Sequence, residues 1–313
     1  MSKRRTFLKQ TALAAGYLPL SRFSFPMFQY ADDDQLEVHI FSKHLQFLDF
    51  KETGAVAAEM GFDGVDLTVR PKGHVLPENV GIDLPRAVED IRASGIRCDL
   101  ITTAIESVEN QLDVSVLKAA SDVGIKYYRT NWFKFDQARS MKANLLNYQE
   151  EIYRLGELNQ KLGLVGCYQN HAGRNVGASF WEIEKILETV NPQTFGTQYD
   201  IRHAMVEGGF SWQNGLELLH KRIKVIVLKD FKWGKINNKW EPVNVPIGEG
   251  MVDFDTYFKL LKKYKIKVPV SLHLEYDLGG AEKGNSVINV DKKVVFDAMQ
   301  RDLQIVQDLW KNA

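Results

Sequence analysis

Short apolar runs alternate with longer amphipathic segments along the chain from about Gln35 onward. The short runs are rich in β-branched and aromatic residues, which favour strands, whereas the longer segments repeat their apolar residues every three to four positions, as helices do. The predicted strands cover residues 36–41, 64–69, 96–102, 127–130, 164–169, 195–199, 223–228 and 268–274. The predicted helices cover residues 53–60, 84–94, 113–123, 138–162, 180–190, 212–220, 254–264 and 290–310.

Strands that alternate with helices are typical of βα units on a parallel sheet. Eight such pairs fit a (β/α)8 TIM barrel of the α/β class, whose usual length is about 250 residues. The alternative, a doubly wound sheet, would favour a glycine-rich phosphate turn after the first strand, and residues 41–44, Phe-Ser-Lys-His, contain no glycine. We therefore predict one barrel domain over residues 32–313.

The N-terminal segment differs in its sequence pattern from the rest of the chain. Residues 2–9 carry the pair Arg4-Arg5 in a basic stretch that resembles the twin-arginine export signal, and a mildly apolar run follows at 11–20. That run is too short for the ~20 residues of a bilayer span. We predict that residues 1–31 are a signal peptide and that the protein is exported to the periplasm, with no membrane association after signal removal. The alternative is a basic amphipathic helix.

Composition excludes some partners. Forty lysines and arginines balance forty aspartates and glutamates, so no whole-chain field attracts nucleic acid or an anionic membrane. The two cysteines, Cys98 and Cys167, each lie in a predicted strand, which predicts two separate buried thiols.

The last predicted strand has one polar face. Because side chains alternate along a strand, Ser271, His273 and Glu275 point the same way. In a TIM barrel the chemistry lies at the C-terminal ends of the strands, which places Glu275 at the rim of the site. The alternative for such a strand is a satisfied buried histidine beside a solvent-facing carboxylate.

Polar side chains also collect at the other strand ends. They are His39, Lys43, His44, Asp66, Arg70, His74, Thr102, Thr103, Arg129, Asn131, Trp132, Gln169, Asn170, His171, Asp200, His203, Lys229 and Asp230. Six of the seven histidines lie at or near a strand end. Imidazole and carboxylate groups that converge from several strands suit a divalent metal such as Mn, Zn or Co, whereas an all-oxygen site would favour Mg or Ca.

Several of these residues also have a structural interpretation. His39 sits in mid-strand and fits a packed core histidine, Asp66 fits a loop cap, and Arg129 fits a structural ion pair. Asp200 and His203 form an Asp-x-x-His pair that can reach one centre, although Asp200 also fits a helix N-cap.

Five short motifs occur in order at strand ends and together carry a family resemblance. They are residues 61–66 (Gly-Phe-Asp-Gly-Val-Asp), 169–171 (Gln-Asn-His), 199–203 (Tyr-Asp-Ile-Arg-His), 227–231 (Val-Leu-Lys-Asp-Phe) and 272–276 (Leu-His-Leu-Glu-Tyr). This set resembles the sugar phosphate isomerase/epimerase family of xylose-isomerase-like TIM barrels. The resemblance implies a divalent metal held by Glu, Asp, His and Glu from strands five to eight, with the two glutamates moving protons next to a carbonyl.

Two of the four implied positions match this chain. Asp200 and Glu275 correspond to the ligands of strands six and eight, but Gln169 replaces the strand-five Glu and Val227 replaces the strand-seven His. A glutamine can ligate through its carbonyl but cannot act as a base. The resulting hypothesis is a divalent metal (Mn, Zn, Co or Mg) held by Asp200, Glu275, Gln169 and His203.

Glu275 is then the evident base, and its acid partner is His171, His203 or Lys229. Lys229 shares its strand face with Val227 and points inward; the alternative is a salt bridge at the rim. Aromatic and cationic side chains from the loops fit the walls of a sugar site. The predicted substrate-binding residues are Lys43, Arg70, His74, Arg129, Trp132, Trp233 and His273.

The sequence thus predicts a metal-assisted carbohydrate isomerase or epimerase with a small-molecule sugar as its partner. Export favours a free, oxidised or glycosidic sugar over a sugar phosphate. The first alternative is a lyase that acts on 3-keto-glycosides by β-elimination, for which one base suffices. The second is a non-catalytic sugar-binding barrel that has lost its metal.

Overall fold

Eight parallel strands form a closed barrel in the computed structural model, which describes residues 35–313. The barrel strands are β1 Val38–Phe41, β2 Gly64–Val69, β3 Arg97–Thr103, β4 Tyr127–Arg129, β5 Val165–Gln169, β6 Phe195–Asp200, β7 Ile223–Leu228 and β10 Val270–Leu272. Neighbouring strands pair in chain order, and β10 closes the barrel between β7 and β1. The predicted single (β/α)8 barrel is confirmed. The predicted signal peptide lies outside the described residues.

Helices surround the barrel. They are α1 Phe50–Met60, α2 Val80–Arg92, α3 Gln111–Asp122, α4 Met141–Leu162, α5 Phe180–Leu187, α6 Ile201–Gly208, α7 Trp212–Leu219, α8 Phe254–Lys263 and α9 Lys292–Asn312. Local sequence sets their ends: Asp49 and Glu52 form a capping box at the start of α1, and Gly163 ends α4 in the left-handed region at φ 71°. None of the helices in the described part of the chain is long and apolar enough to cross a membrane.

The main core lies between the strands and the helices. A second, small apolar cluster of Leu100, Cys167 and Val225 comes from β3, β5 and β7, as expected for a layer inside a barrel to which alternate strands contribute. Cys98 and Cys167 are both buried and unpaired, as predicted. His39 is fully buried against Gly64, where a β-carbon would lie 2.6 Å from the imidazole ring, so its interpretation as a packed core histidine is confirmed.

The sequence pattern did not predict the two strands of a hairpin or one short helix. The tract after β7 was predicted as a loop but forms an antiparallel hairpin of β8 Asp230–Ile236 and β9 Lys239–Val245. Its turn residues Asn237 and Asn238 both have positive φ, which two-residue hairpin turns require and asparagine tolerates. The other missed element is α6, which begins directly at the end of β6 with Asp200 as its N-cap.

Asp230 anchors the return from this hairpin to the barrel. One carboxylate oxygen accepts the amides of Phe231 and Val252 at 2.8 and 3.1 Å, and the other accepts those of Gly248 and Gly250 at 3.0 and 2.9 Å. A β-carbon on Gly250 would lie 2.2 Å from this carboxylate, so only glycine fits there. The segment that follows β9 is therefore tied to the end of β7.

Candidate active site

A cavity of about 240 Å³ opens at the C-terminal ends of the barrel strands. Most of the residues predicted for catalysis and sugar binding meet there. The lining residues are Phe41, Lys43, Arg70, Arg129, Trp132, Gln169, His171, Lys229, His273 and Glu275. They come from the ends of six barrel strands or from the loops that follow them, so the closed barrel brings them together.

The ammonium group of Lys229 lies at the centre of the acidic part of the site. Its Nζ donates to Asp200 Oδ2 at 3.1 Å, to Glu275 Oε2 at 3.1 Å and to His203 Nε2 at 2.9 Å. An ammonium has three protons and no acceptor, so these three contacts saturate it. Lys229 is 3% exposed. The predicted inward direction and the alternative ion pair are therefore both correct.

Asp200 fills two roles with its two oxygens. Oδ1 accepts the backbone amide of His203 at 3.1 Å and caps α6, as the alternative interpretation expected. Oδ2 accepts from Gln169 Nε2 at 2.8 Å as well as from Lys229. Asn170 fixes the backbone of Asp200. Its Oδ1 accepts from the Asp200 N–H, and its Nδ2 donates to the Asp200 carbonyl. Asp200 is thus fully buried and held in place through both side-chain oxygens and its backbone.

Gln169 turns its carbonyl away from this centre. Gln169 Oε1 accepts from Arg129 Nη1 at 3.2 Å, while its amide nitrogen donates to Asp200. The donor on one side and the acceptor on the other assign the amide orientation. Gln169 therefore links the cationic wall of the cavity to its acidic centre.

Glu275 lies between two ammonium groups. Lys43 contacts Oε1 at 3.3 Å and Lys229 contacts Oε2, while the Glu275 side chain remains 24% exposed to the cavity. Burial by itself raises the pKa of this carboxyl, but the charges of Lys229 and Lys43 outweigh it and hold the pKa well below its usual range. Glu275 is a carboxylate at neutral pH.

A buried relay fixes the tautomer of His273. Ser271 Oγ donates to Asp66 Oδ2 at 2.6 Å, so the serine oxygen is free to accept from His273 Nε2–H at 3.1 Å. The Nδ1 of His273 is then an unprotonated acceptor, and it is buried with no hydrogen-bond partner among the described residues. Burial and the charge of Lys229 keep the His273 pKa well below its usual value, and its ring stacks on Phe41 at 4.1 Å.

Arg70 and Arg129 form the cationic wall of the cavity. The Arg129 guanidinium lies 4.2 Å from the Trp132 ring and the Arg70 guanidinium 5.7 Å from the Phe41 ring. Neither has a carboxylate within 4.0 Å among the described residues, and burial lowers the pKa of Arg129 to about 9. Arg129 Nε and Trp132 Nε1 are buried donors without a hydrogen-bond partner in the part of the chain that the structure describes.

The two histidines next to the centre differ in access. His171 lines the cavity, donates through Nδ1 to the Ala172 carbonyl at 2.8 Å and packs beside Trp132. His203 lies behind Lys229 and is 4% exposed, and burial together with the charge of Lys229 lowers its pKa well below the usual value. Of the predicted acid partners, Lys229 and His171 therefore reach the cavity.

Two predicted substrate-binding residues lie elsewhere. His74 lines a separate cavity of about 560 Å³, because its Nε2 donates to the Leu45 carbonyl and its Nδ1 accepts from the Ser42 hydroxyl, both at 3.1 Å. Trp233 stands on β8 with 43% exposure and touches Phe231 edge-on. Sequence reasoning missed Phe41, although its place at the end of β1 was the available signal.

The metal implied by the family resemblance does not fit these side chains. Metal–ligand bonds to carboxylate and imidazole are about 2.0–2.2 Å long, yet the donor atoms of Asp200, Glu275 and His203 surround the Lys229 ammonium at 2.9–3.1 Å. Gln169, the fourth predicted ligand, offers its carbonyl to Arg129 instead.

Within residues 35–313, one group of acids and a histidine has its ligand atoms close enough together for a metal, namely Glu37, His39 and Asp99. It lies on β3 and around the start of β1, at the opposite end of the barrel. Arg97 Nη1 already pairs with Glu37 there at 3.3 Å. This group is separate from the cavity.

Comparison with known proteins identifies the family to which this chain belongs. A family model described as xylose isomerase-like TIM barrel matches residues 55–289. The chain belongs to this family. No curated protein sequence matches the chain.

Solved structures share the fold at low identity. D-allulose 3-epimerase from Methylomonas sp. is 16% identical with a TM-score of 0.64, and the match covers 88% of this chain and 98% of that one. A probable 3-DHS dehydratase from Bacillus anthracis is 14% identical with a TM-score of 0.65, covering 87% and 98%. A 3-keto-D-glucoside 4-epimerase from E. coli is 13% identical with a TM-score of 0.63, covering 86% and 100%.

The position of His74 generates a prediction about pH. Burial lowers the pKa of His74 from 6.5 to about 4, because it penalises the charged imidazolium more than its backbone hydrogen bonds stabilise it. Between pH 6.5 and 4 the unfolded chain binds a proton at this residue and the folded chain does not, so the free energy of unfolding falls as the pH falls through this window.

We expect His74→Gln to lose less stability than the wild type between pH 7 and pH 4, measured by urea unfolding at each pH. His220→Gln, whose ring packs on Tyr264 outside the barrel, is the matched control and should follow the wild type. Parallel curves for wild type and His74→Gln would contradict the assignment.

Proposed function

We propose that the protein is a carbohydrate isomerase or epimerase that moves a proton at a carbon next to a carbonyl, with Glu275 as the base. Membership of the xylose isomerase-like family supports this proposal. So do two of the similar structures, which are by their names sugar epimerases. Because their identity to this chain is low, these structures support only the shared fold. The proposed reaction is argued from the side chains that line the cavity.

The deciding observation is a set of unpaired polar atoms around one cavity. Within residues 35–313, His273 Nδ1 is a buried acceptor without a hydrogen-bond partner, and Arg129 Nε and Trp132 Nε1 are buried donors without one. Buried polar atoms in folded proteins nearly always have a hydrogen-bond partner. A ligand that offers hydroxyl or carbonyl groups on several sides would supply all three partners, and sugars have this chemistry.

Glu275 is placed to take the proton. Its exposed side faces the cavity, and a carbanion formed there would delocalise its charge onto the neighbouring carbonyl oxygen. The ammonium groups that hold its pKa low also make it a weak base, since basicity falls with the pKa. We infer that substrate oxygens draw Lys43 or Lys229 away from Glu275 and so strengthen the base. Lys229 then returns a proton to the carbon, or Glu275 returns it after rotation of the intermediate.

Replacement of the base should remove turnover. We expect Glu275→Gln to lower kcat by about 10²–10⁴-fold, the usual contribution of a general base. The assay is a panel of keto-sugars followed by NMR with solvent deuterium exchange at the carbon next to the carbonyl. Glu249→Gln, an exposed change of the same kind, is the control and should keep full activity. Retained exchange in Glu275→Gln would move the base to another residue.

Elimination is the second candidate reaction, and Gln169 favours it. With no carboxylate on strand five, Glu275 is the single carboxylate that lines the cavity among the described residues. Abstraction of the proton next to the keto group followed by β-elimination would break the bond to the aglycone and needs no second carboxylate. A 3-keto-glucoside separates the reactions: released aglycone supports elimination, and an intact sugar with altered stereochemistry supports epimerisation. A non-catalytic sugar-binding barrel would show neither product and no deuterium exchange.

The unpaired guanidinium groups favour an acidic sugar. Arg70 and Arg129 have no carboxylate partner in the described chain, and such groups bind carboxylates with two parallel hydrogen bonds. A uronate or related sugar acid fits this wall better than its neutral counterpart.

We expect Arg70→Gln to weaken binding of a sugar acid by about tenfold or more, the equivalent of about 1.4 kcal/mol. The neutral sugar should lose much less, because it makes no ion pair with Arg70. Isothermal titration of both sugars measures the difference, with Arg139→Gln on the outer surface as the control. Equal losses for both sugars would rule out a carboxylate contact at Arg70.

Export through a twin-arginine signal stays a proposal, which rests on residues 2–20 of the sequence. Replacement of Arg4 and Arg5 by lysine should retain the protein in the cytoplasm of a bacterial host, as measured by cell fractionation and blotting. Unchanged periplasmic recovery of this variant, or absence of the wild type from the periplasm, would overturn it.

A further inference from the structure

We propose that the Lys229 ammonium takes the place of a divalent metal ion, so that the centre of this site is cationic without a metal. Two of the three groups that bind Nζ, Asp200 and Glu275, stand at positions that the resemblance assigns to a metal, and the third, His203, belongs to the predicted ligand set. They come from two parts of the chain: Asp200 Oδ2 and His203 Nε2 at the β6–α6 junction lie 3.1 and 2.9 Å from Nζ, and Glu275 Oε2 beyond β10 lies 3.1 Å from it.

The distances match an ammonium and not a metal. Hydrogen bonds from nitrogen to oxygen span about 2.7–3.2 Å, whereas Zn²⁺ or Mn²⁺ would draw the same atoms about 1 Å closer to the centre. Three protons meet three acceptors, so Lys229 needs no further partner. Because Lys229 is 3% exposed and Asp200 is fully buried, water does not replace these contacts.

The two positions that depart from the family ligand set also argue against a bound metal. Val227 stands where the family has a histidine, and it is a buried residue of β7 paired with Asp200 on one side and Ser271 on the other. A valine offers no ligand atom. Gln169 directs its amide nitrogen, a donor, toward Asp200. A metal would need an acceptor from this direction.

The surrounding charge also excludes an added dication. Lys43 contacts the second oxygen of Glu275 at 3.3 Å, and Arg202 Nη1 lies 3.1 Å from His203 Nδ1. The two carboxylates of the centre are thus already balanced by Lys229 and Lys43. A divalent cation added at this buried position would be repelled by the neighbouring lysine and arginine side chains. Solvent would screen this repulsion only weakly.

The catalytic consequence rests on the proposed function. In an isomerase, this ammonium would exchange its contact with Glu275 for a hydrogen bond to the substrate oxygen on which negative charge develops, the role that fixed cations fill in enolate chemistry. The placement of Lys229 itself does not depend on which sugar reacts, so it can be tested with metal alone.

The test compares wild type, Lys229→Ala and Lys43→Ala, each in a Glu37→Gln background that disables the separate Glu37, His39 and Asp99 group. The proteins are purified without chelator, their metal content is measured by mass spectrometry, and Tm is recorded with and without ZnCl₂ or MnCl₂. We expect the wild type to hold well below one equivalent and to keep its Tm when either salt is added.

Lys229→Ala frees two buried carboxylates and an imidazole. We expect it to melt lower than the wild type and to recover several degrees on adding Zn²⁺, since ligand binding at 100 times Kd stabilises by about 2.7 kcal/mol. Lys43→Ala removes the other positive charge that pairs with Glu275 but leaves Lys229 in place, so its Tm should show no such recovery with Zn²⁺. If Lys229→Ala does not fold, Lys229→Gln, which keeps a hydrogen-bond donor, replaces it.

Stoichiometric metal in the wild type, or a Tm that rises with Zn²⁺ or Mn²⁺, would overturn the inference. Equal recovery of Lys43→Ala and Lys229→Ala would do the same. Absence of turnover with every sugar would sink the proposed function alone, whereas a metal-loaded wild type that epimerises a sugar would sink this inference alone.

Discussion

One buried ammonium group joins the ends of three barrel strands. Lys229 follows β7 and pairs with Asp200 at the end of β6 and with Glu275 beyond β10. Lys229 is the cation that the two carboxylates share, and removing it is strongly destabilising because it leaves buried Asp200 without an ion-pair partner among the described residues other than His203. The position of each acid, and thereby the shape of the cavity floor, depends on this lysine.

The cavity divides into two halves with different chemistry. On one side Glu275 lines the cavity and shares Lys229 with the buried Asp200, and on the other Arg70 and Arg129 face the ligand space with no carboxylate partner among the described residues. Gln169 connects the halves, because it donates to Asp200 and accepts from Arg129. A change at either half would therefore alter the hydrogen bonds of the other.

The strand pattern was enough to predict the barrel and to place most of the site, because the closed sheet brings all strand ends to one face. Alternation also placed Lys229 inward, and the sequence offered both roles of Asp200, which its two oxygens fill together. The orientation of the Gln169 amide depends on Arg129, which is forty residues away in the chain, so no local pattern could show it. His74 was misplaced for a similar reason, since Ser42 and Leu45 draw its ring out of the cavity.

Asp230 has a consequence for how this site can change. Its four backbone hydrogen bonds tie the segment after the β8–β9 hairpin to the end of β7, so the barrel does not depend on the hairpin tip. The tip carries Asn237, Asn238 and the largely exposed Trp240, none of which lines the cavity. The tip can therefore change in length and sequence, whereas the base of the hairpin is part of the site, because Asn244 of β9 donates to the Glu275 carbonyl at 3.3 Å.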